Sequence, residues 1–299
     1  MSARLLRSST TAVVAGIALV TGGVAIAAPR DAAPAHAPSD SGGCGEPAPS
    51  SPEPAPAPGA PGEVAVGVPD GVSLSTYTGS RTLREDGQVL ENVVVPSDLV
   101  VTGHGVTLRN VRVEGNLIFR RTADVRLETS EVASLSISGS EGVVVTGVEV
   151  FGLRGVDGVH ITSGRAPTRD VTLSDVWVHS PQVSGRSHYD GIQVRGVDGL
   201  TLERVRVELG EWQRQFAAAL FLEDANGGNR DVTVVDSRFE GGGYTLYAFA
   251  DDVTIEGTVF DGGRWGHLFP RSWTSEITVF EGNTDADGNP LQLRSTSIG

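Results

Sequence analysis

Short segments in which apolar and polar residues alternate recur along most of the chain. A triplet with apolar first and third residues occurs eight times, and in the first seven repeats a further Val or Phe follows seven residues after the triplet begins. Alternation with a period of two residues predicts strands that bury one face. The triplets begin at Val106, Val125, Val143, Val171, Leu200, Val232, Val253 and Ile277.

Each repeat contains three predicted strands. A turn-forming residue such as Asn110 or Gly147 separates the triplet from the second strand, and a third strand carries two inward apolar residues, for example Leu135 and Ile137. Because one such repeat cannot bury its inner face alone, the pattern predicts an all-β solenoid, a right-handed parallel β-helix of about eight coils. A sandwich of hairpins is the alternative, but it would need two-residue turns at each reversal.

Connection lengths predict where this solenoid binds. The connections are short in the first repeats and long in the later ones, and insertions in a solenoid usually build its binding face. We therefore expect a groove over the strands at 158–161, 191–194, 219–222 and 245–248. We expect residues 63–98 to cap one end of the solenoid and the chain after Thr284 to cap the other.

Side chains that point out of this face should form columns across the coils. One predicted column contains His160, Gln193, Phe221 and Tyr247. Asp157 and Asp190 begin two neighbouring strands, about 4.8 Å apart. Two carboxylates so close resist ionising together, which favours a calcium site or an acid/base pair. The alternative is a plain turn at each position, since a Gly follows each Asp.

Other polar and aromatic residues map to the walls of the same groove. Aromatic rings beside carboxylates suit sugars, because the C–H faces of sugar rings pack on aromatic surfaces. We predict catalytic roles for Asp157, Asp190, His160, His188 and Arg195, with Asp157 and Asp190 as the ligands if calcium binds. We predict substrate contacts for Gln193, Tyr189, Tyr244, Tyr247, Trp212 and Arg186.

The N-terminal region has the pattern of an exported protein. Arg4 and Arg7 precede an apolar run that ends in Ala25-Ile26-Ala27, which predicts a cleaved signal peptide at residues 1–27 and a secreted protein. Residues 28–62 are rich in Pro and Ala and are expected to form a disordered linker. The folded domain then spans residues 63–299. Cys44 is the single cysteine, so no intramolecular disulfide holds the domain together.

Composition and charge exclude several classes of function. The chain has 23 basic residues against 37 acidic ones, for a net charge of −14, and all 23 are arginine. Lysine chemistry is therefore excluded, and nucleic acid is not expected as a partner because the chain has no basic surface for phosphates. The apolar run near the N-terminus is too short and too interrupted by Gly to span a membrane. We expect a monomer without a membrane span.

Two segments resemble the secreted bacterial right-handed β-helix proteins of the pectate lyase-like superfamily. They are Ser187-His-Tyr-Asp190-Gly-Ile-Gln193-Val and Gly241-Gly-Gly-Tyr244-Thr-Leu-Tyr247. The resemblance implies that the protein handles a polysaccharide and that Asp190 matches an acidic site residue of pectate lyases and polygalacturonases. Gln193 and Ala218-Ala219 stand where further acids of those families are found, so the resemblance does not distinguish a lyase from a hydrolase.

Two other classes of function remain beside the enzyme. One is a non-catalytic carbohydrate-binding or cell-surface module, and the other is a purely structural rod. Substrate charge is also open. An acidic glycan would need calcium or the positive potential of Arg165, Arg169, Arg186 and Arg195, because the chain itself is acidic. A neutral glycan would instead rely on Tyr244, Tyr247 and Trp212.

Overall fold

The computed structural model describes residues 65–152, 155–185, 187–270 and 276–293. In these ranges the chain forms 22 strands and no helix. The predicted signal peptide, the linker and Cys44 lie outside them. The strands are β1 (Ser75–Thr76), β2 (Thr82–Leu83), β3 (Val89–Val95), β4 (Leu99–Val101), β5 (Thr107–Arg120), β6 (Arg126–Glu128), β7 (Glu131–Ser138), β8 (Glu141–Val150), β9 (Val159–Thr162), β10 (Thr168–Val178), β11 (Tyr189–Arg195), β12 (Val197–Glu203), β13 (Arg206–Glu208), β14 (Phe216–Glu223), β15 (Asn229–Val235), β16 (Arg238–Glu240), β17 (Tyr244–Ala248), β18 (Ala250–Glu256), β19 (Val259–Asp261), β20 (Gly266–Leu268), β21 (Ile277–Glu281) and β22 (Thr284–Asp285).

The strands stack in parallel, each on a strand of the next coil. For example, β8 pairs with β10, β10 with β12, β12 with β15 and β15 with β18, all in parallel. The all-β, right-handed parallel β-helix predicted from the repeat is confirmed, and the hairpin sandwich is excluded. The β-helix has three faces: face A holds the triplets, face B the second strands and face C the third strands. The strands of face C are β2, β4, the end of β5, β7, β9, β11, β14, β17 and β20.

The predicted core columns are in register and buried. In face A, Val143 pairs with Val171, Val171 with Leu200, Leu200 with Val232 and Val232 with Val253. Their side chains are at most 1% exposed. In face B the column ends on Phe239 and Phe260, whose rings stack with centroids 6.0 Å apart. Apolar side chains of all three faces therefore fill one continuous interior.

A left-handed turn residue forms the corner between faces A and B. The predicted corner residues Asn110, Gly147, Asp175, Asp236 and Gly257 all have positive φ, between 48° and 66°. Asn, Asp and Gly tolerate this conformation best, because other side chains crowd the backbone there. The same tight corner in successive coils keeps faces A and B aligned, and the long connections therefore all flank face C.

The predicted N-terminal cap is wrong in part. Within residues 63–98, β3 pairs with β5 and β2 pairs with β4, so this segment adds strands to all three faces. The sequence signal was incomplete: Leu90 pairs with Leu108, the third residue of the first triplet, but Gln88 stands in the position of Val106, where the triplet has its first apolar residue. At the other end, β22 still pairs with β19, so Thr284 also belongs to a coil.

Candidate active site

The central outward row of face C matches the predicted column. Ser136 pairs with His160, His160 with Gln193, Gln193 with Phe221 and Phe221 with Tyr247. Because side chains alternate along a strand, the residues on either side of this row point into the core. Face C therefore presents a row that changes from polar to aromatic along the helix axis.

Asp157 and Asp190 meet at the entrance to β9 and β11, as predicted. The backbone N–H of Asp190 donates a 2.9 Å hydrogen bond to Oδ1 of Asp157. Oδ1 of Asp190 accepts a 2.9 Å bond from the N–H of Ala218 on the next coil. The side chain of Asp157 is 12% exposed and that of Asp190 is 0% exposed. Asp157 can therefore reach a ligand in the groove, whereas Asp190 can act only through its neighbours.

Glycines after the two aspartates let the chain pass close to the core. A Cβ on Gly191 would clash with Val207 and lie 2.6 Å from the carbonyl oxygen of Ala219, and a Cβ on Gly158 would lie 2.7 Å from the carbonyl oxygen of Gly191. The alternative of a plain turn, in which Gly is needed because the corner is crowded, is thus correct for the two glycines. It does not account for the aspartates, because the side chain of each one accepts a hydrogen bond from the backbone of the next coil.

His188 forms a pair with Asp190. Nε2 of His188 lies 3.0 Å from Oδ2 of Asp190, and the imidazole is 61% exposed. The hydrogen bond to Asp190 raises the pKa of His188 above its usual value. Burial raises the pKa of Asp190, and the contact with His188 opposes that shift. We assign the shared proton to the imidazole, because the imidazole is solvated while the carboxylate accepts the N–H of Ala218.

Burial also raises the pKa of Asp157, to about 6. The neighbouring His160 has its Nδ1 3.8 Å from Oδ2 of Asp157, and burial lowers the pKa of His160. Nε2 of His160 is buried, and among the described residues it has no hydrogen-bond partner. Near neutral pH the site therefore contains a mostly ionised Asp157, a neutral His160 and a His188 whose raised pKa favours the imidazolium form.

Glu223 is a site residue that the sequence analysis missed. Its Oε2 accepts a 3.1 Å hydrogen bond from Nε2 of Gln193 and lies 3.0 Å from Nε of Arg195. Gln193 is 8% exposed. The alternation of the strand could have identified it, because Glu223 is two residues beyond Phe221 on the same outward side of β14. Arg195 is thus neutralised by Glu223, so we assign it a supporting position in place of a catalytic one.

Of the predicted substrate contacts, Tyr189 lies in the core. Tyr189 is fully buried, and its ring lies 5.9 Å from that of Phe216 in the core. The prediction that it contacts substrate is therefore wrong: Tyr189 faces inward because it precedes Asp190 at the strand entrance, before regular alternation begins. Arg186 lies outside the described residues.

The other predicted contacts lie in an aromatic cluster on the later coils. The rings of Tyr247 and Phe269 stack at 4.8 Å, and Tyr244 lies 5.6 Å from Tyr247. Trp212 joins through Trp265, 6.5 Å away, and Trp265 lies 5.8 Å from Tyr244. We call this cluster the aromatic strip; its members are Trp212, Phe221, Tyr244, Tyr247, Phe249, Trp265 and Phe269.

The aspartates do not fit calcium. Calcium takes 6–8 oxygen ligands, and the described residues contain no group of three or more His, Cys, Asp or Glu side chains that could hold a metal. Both oxygens of Asp190 and Oδ1 of Asp157 already accept hydrogen bonds or contact an imidazole.

The loop arginines lie at the far end of the face C strands. Arg165 and Arg169 line a pocket of about 320 Å³ together with Asn226 and Arg230. Nε of Arg169 lies 3.8 Å from Asp198, and Arg169 pairs in register with Glu141 and Asp198 on either side. The predicted basic strip is therefore interrupted by carboxylates on neighbouring strands.

Fold and site together define a parallel β-helix protein with an acid–histidine site on one face. No protein-family model matches the chain, and no curated protein matches its sequence. Among the described residues, none forms a helix long and apolar enough to cross a membrane.

Solved structures match this chain by fold. One is the A-module of the mannuronan C-5 epimerase AlgE6 of Azotobacter vinelandii, with 14% identity and a TM-score of 0.44, covering 68% of this chain and 58% of that one. Another is a hyperthermoactive exopolygalacturonase of Thermotoga maritima, with 13% identity and a TM-score of 0.32, covering 64% of this chain and 55% of that one. The chain thus spans less than two thirds of either structure.

Proposed function

We propose that this protein is a secreted enzyme that cleaves a polysaccharide by general acid–base catalysis in the groove of face C. The supporting observation is that Asp157 and His188 both contact buried Asp190. This brings a carboxyl of raised pKa and a half-exposed imidazole to one spot beside the central row. Perturbed titratable groups that converge in a groove are typical of active sites.

The two catalytic residues divide the proton transfers. Protonated His188 donates a proton to the oxygen that leaves the broken bond, and ionised Asp157 accepts a proton from the attacking water or from the sugar. Asp190 is a positioning residue, because it is fully buried and holds both partners. Gln193 on the same strand as Asp190 and Glu223 on the next strand offer polar groups to substrate hydroxyls.

The test is a panel of polysaccharides assayed for new reducing ends and for the ultraviolet absorbance of unsaturated products. We expect wild-type protein to produce one of these signals and Asp157→Asn and His188→Asn to lose most of it. Asp124→Asn, an exposed carboxamide substitution at a corner, is the matched control and should retain activity. Full activity of both site variants would refute the proposal.

A non-catalytic carbohydrate-binding module is the second candidate. The exposed indole of Trp265, 58% accessible beside the other rings of the aromatic strip, favours it. A module of this kind would bind a glycan without turnover, and Asp157→Asn would leave that binding unchanged. Binding measured on the same polysaccharides, beside the product assay, therefore separates the two functions.

Export and a monomeric state belong to the same proposal. The charged, apolar and small-residue segments at residues 1–27 support export. Expression with the native N-terminus, followed by mass measurement of the protein from the medium, should show a chain that lacks these residues. Sedimentation of that protein should give the mass of one chain.

A further inference from the structure

The central row of face C contains no carboxylate and no arginine. From β7 to β17 it consists of Ser136, His160, Gln193, Phe221 and Tyr247. A polyuronate lying along this row would bring one carboxylate per sugar unit against side chains that offer no matching cation. Removing a carboxylate from water without a charged or hydrogen-bonding partner is costly.

The next outward row does not supply the missing cations. It runs through Ser138, Thr162, Arg195 and Glu223. From β7 to β14 Arg195 is its one arginine, and Glu223 lies 3.0 Å from it. The exposed Arg120 of β5 stands beside Ser138 at the start of the row, five strands before β17. At the strand entrances Asp157 adds a carboxylate, and the imidazole of His188 is paired with Asp190. From β7 to β17 the described outward positions of face C therefore carry no unpaired positive charge, on a chain whose net charge is −14.

The aromatic strip continues the central row with apolar surface. Phe221 lies 5.0 Å from Tyr247, which stacks on Phe269. Trp265 covers Gly243, where a Cβ would clash with the indole, and its backbone N–H donates a 2.8 Å bond to the carbonyl of Gly243. Arg264 lies over Trp212 with its guanidinium carbon 4.2 Å from the ring centre, and the face of that ring is thereby occupied. Partly exposed rings fixed by their neighbours form a platform for the C–H faces of sugars.

We infer that the polysaccharide bound on face C is uncharged, with its sugar rings packed on Trp265, Tyr244 and Tyr247 and its hydroxyls facing Gln193 and His160. This inference rests on the proposed function and adds the substrate class to it. The platform lies about 5–15 Å from the strand that carries Asp190, as one to three strand spacings separate β11 from β14, β17 and β20. The aromatic strip therefore holds the chain segment next to the bond that is cleaved.

An uncharged substrate also specifies the reaction. Elimination requires a C–H bond made acidic by a neighbouring carboxylate, which an uncharged sugar does not have. Cleavage is therefore hydrolysis: a water oxygen bonds to the anomeric carbon, and Asp157 takes the water proton. The bond from that carbon to the glycosidic oxygen breaks, and the oxygen takes a proton from His188. Proton exchange with solvent restores both residues.

The test measures binding of wild-type protein to three uncharged polysaccharides (xylan, galactan and hydroxyethylcellulose) and two acidic ones (polygalacturonate and alginate) by affinity electrophoresis. We expect retardation by at least one uncharged polysaccharide and a loss of about tenfold or more in affinity for Trp265→Ala. Tyr247→Phe, which keeps the ring, should bind nearly as wild type. Val89→Ala removes an equally exposed apolar side chain from a remote coil and is the control.

The other outcomes overturn the inference in distinguishable ways. Binding to the acidic polysaccharides alone would overturn the substrate class and leave cleavage in place. Binding to none of the five, with no turnover, would overturn the proposed function as well. A dimer in sedimentation that Trp265→Ala converts to a monomer would show that the aromatic strip is an interface between two copies.

Discussion

Asp157→Asn should make the protein more stable above neutral pH while it removes activity. Burial raises the pKa of Asp157 to about 6 from an ordinary value of 3.8. The folded state therefore holds this proton more tightly than the unfolded state does. Stability from this group is fully present below pH 3.8 and is lost as the pH rises to about 6. The asparagine is uncharged and avoids that loss.

The size of the effect follows from the two pKa values. Their difference corresponds to at most about 3 kcal/mol of unfolding free energy. The Asn oxygen can still accept the N–H of Asp190, so that hydrogen bond is retained. At alkaline pH we expect a gain of about 1–3 kcal/mol, which for a domain of this size raises Tm by roughly 2–10 °C.

The assay is urea unfolding of wild type, Asp157→Asn and the control Asp124→Asn at about pH 4 and about pH 8. The Asp157 variant should unfold at a higher urea concentration than wild type only at the higher pH, whereas the control should follow wild type at both. An Asp157 variant that is less stable at both pH values would refute the reasoning, because it would show that the carboxylate stabilises the fold.

Three further predictions concern pH, packing and the strand entrance. Activity should rise as the pH increases through about 6, where Asp157 ionises. It should fall again as the pH passes the raised pKa of His188, where the imidazole loses its proton. A pH–rate profile with a single plateau would contradict the acid–base assignment. Val171→Asp should abolish cooperative unfolding or give aggregated protein in size-exclusion chromatography, because it places a charge in the face A column, whereas Val171→Ile should fold. Gly191→Ala should lower the free energy of unfolding by about 1–3 kcal/mol through overpacking against Val207, and denaturant unfolding at the wild-type level would show that the corner has room.

The sequence by itself determined the coils of the helix. Val171, Leu200 and Val232 repeat as apolar residues in strands of period two, and a solenoid has no other way to bury them than by stacking in register. The same alternation predicted which residues point outward, so His160, Gln193, Phe221 and Tyr247 form the expected row. Local patterns of this kind are repeated in every coil, so they can be recognised in the sequence without the tertiary structure.

Only the tertiary structure decided the state of each site residue. Asp190 and Tyr189 are adjacent in sequence and both are buried, because strand entrances do not follow the regular alternation of inward and outward side chains. Asp190 contacts His188, whereas Tyr189 packs in the core. Glu223 neutralises Arg195 from the next coil, across 28 residues of chain. The pKa of Asp157 likewise depends on burial between coils, which no local sequence pattern encodes. Burial and pairing across coils are properties of the stacked helix, and they determine which of the predicted residues can do chemistry.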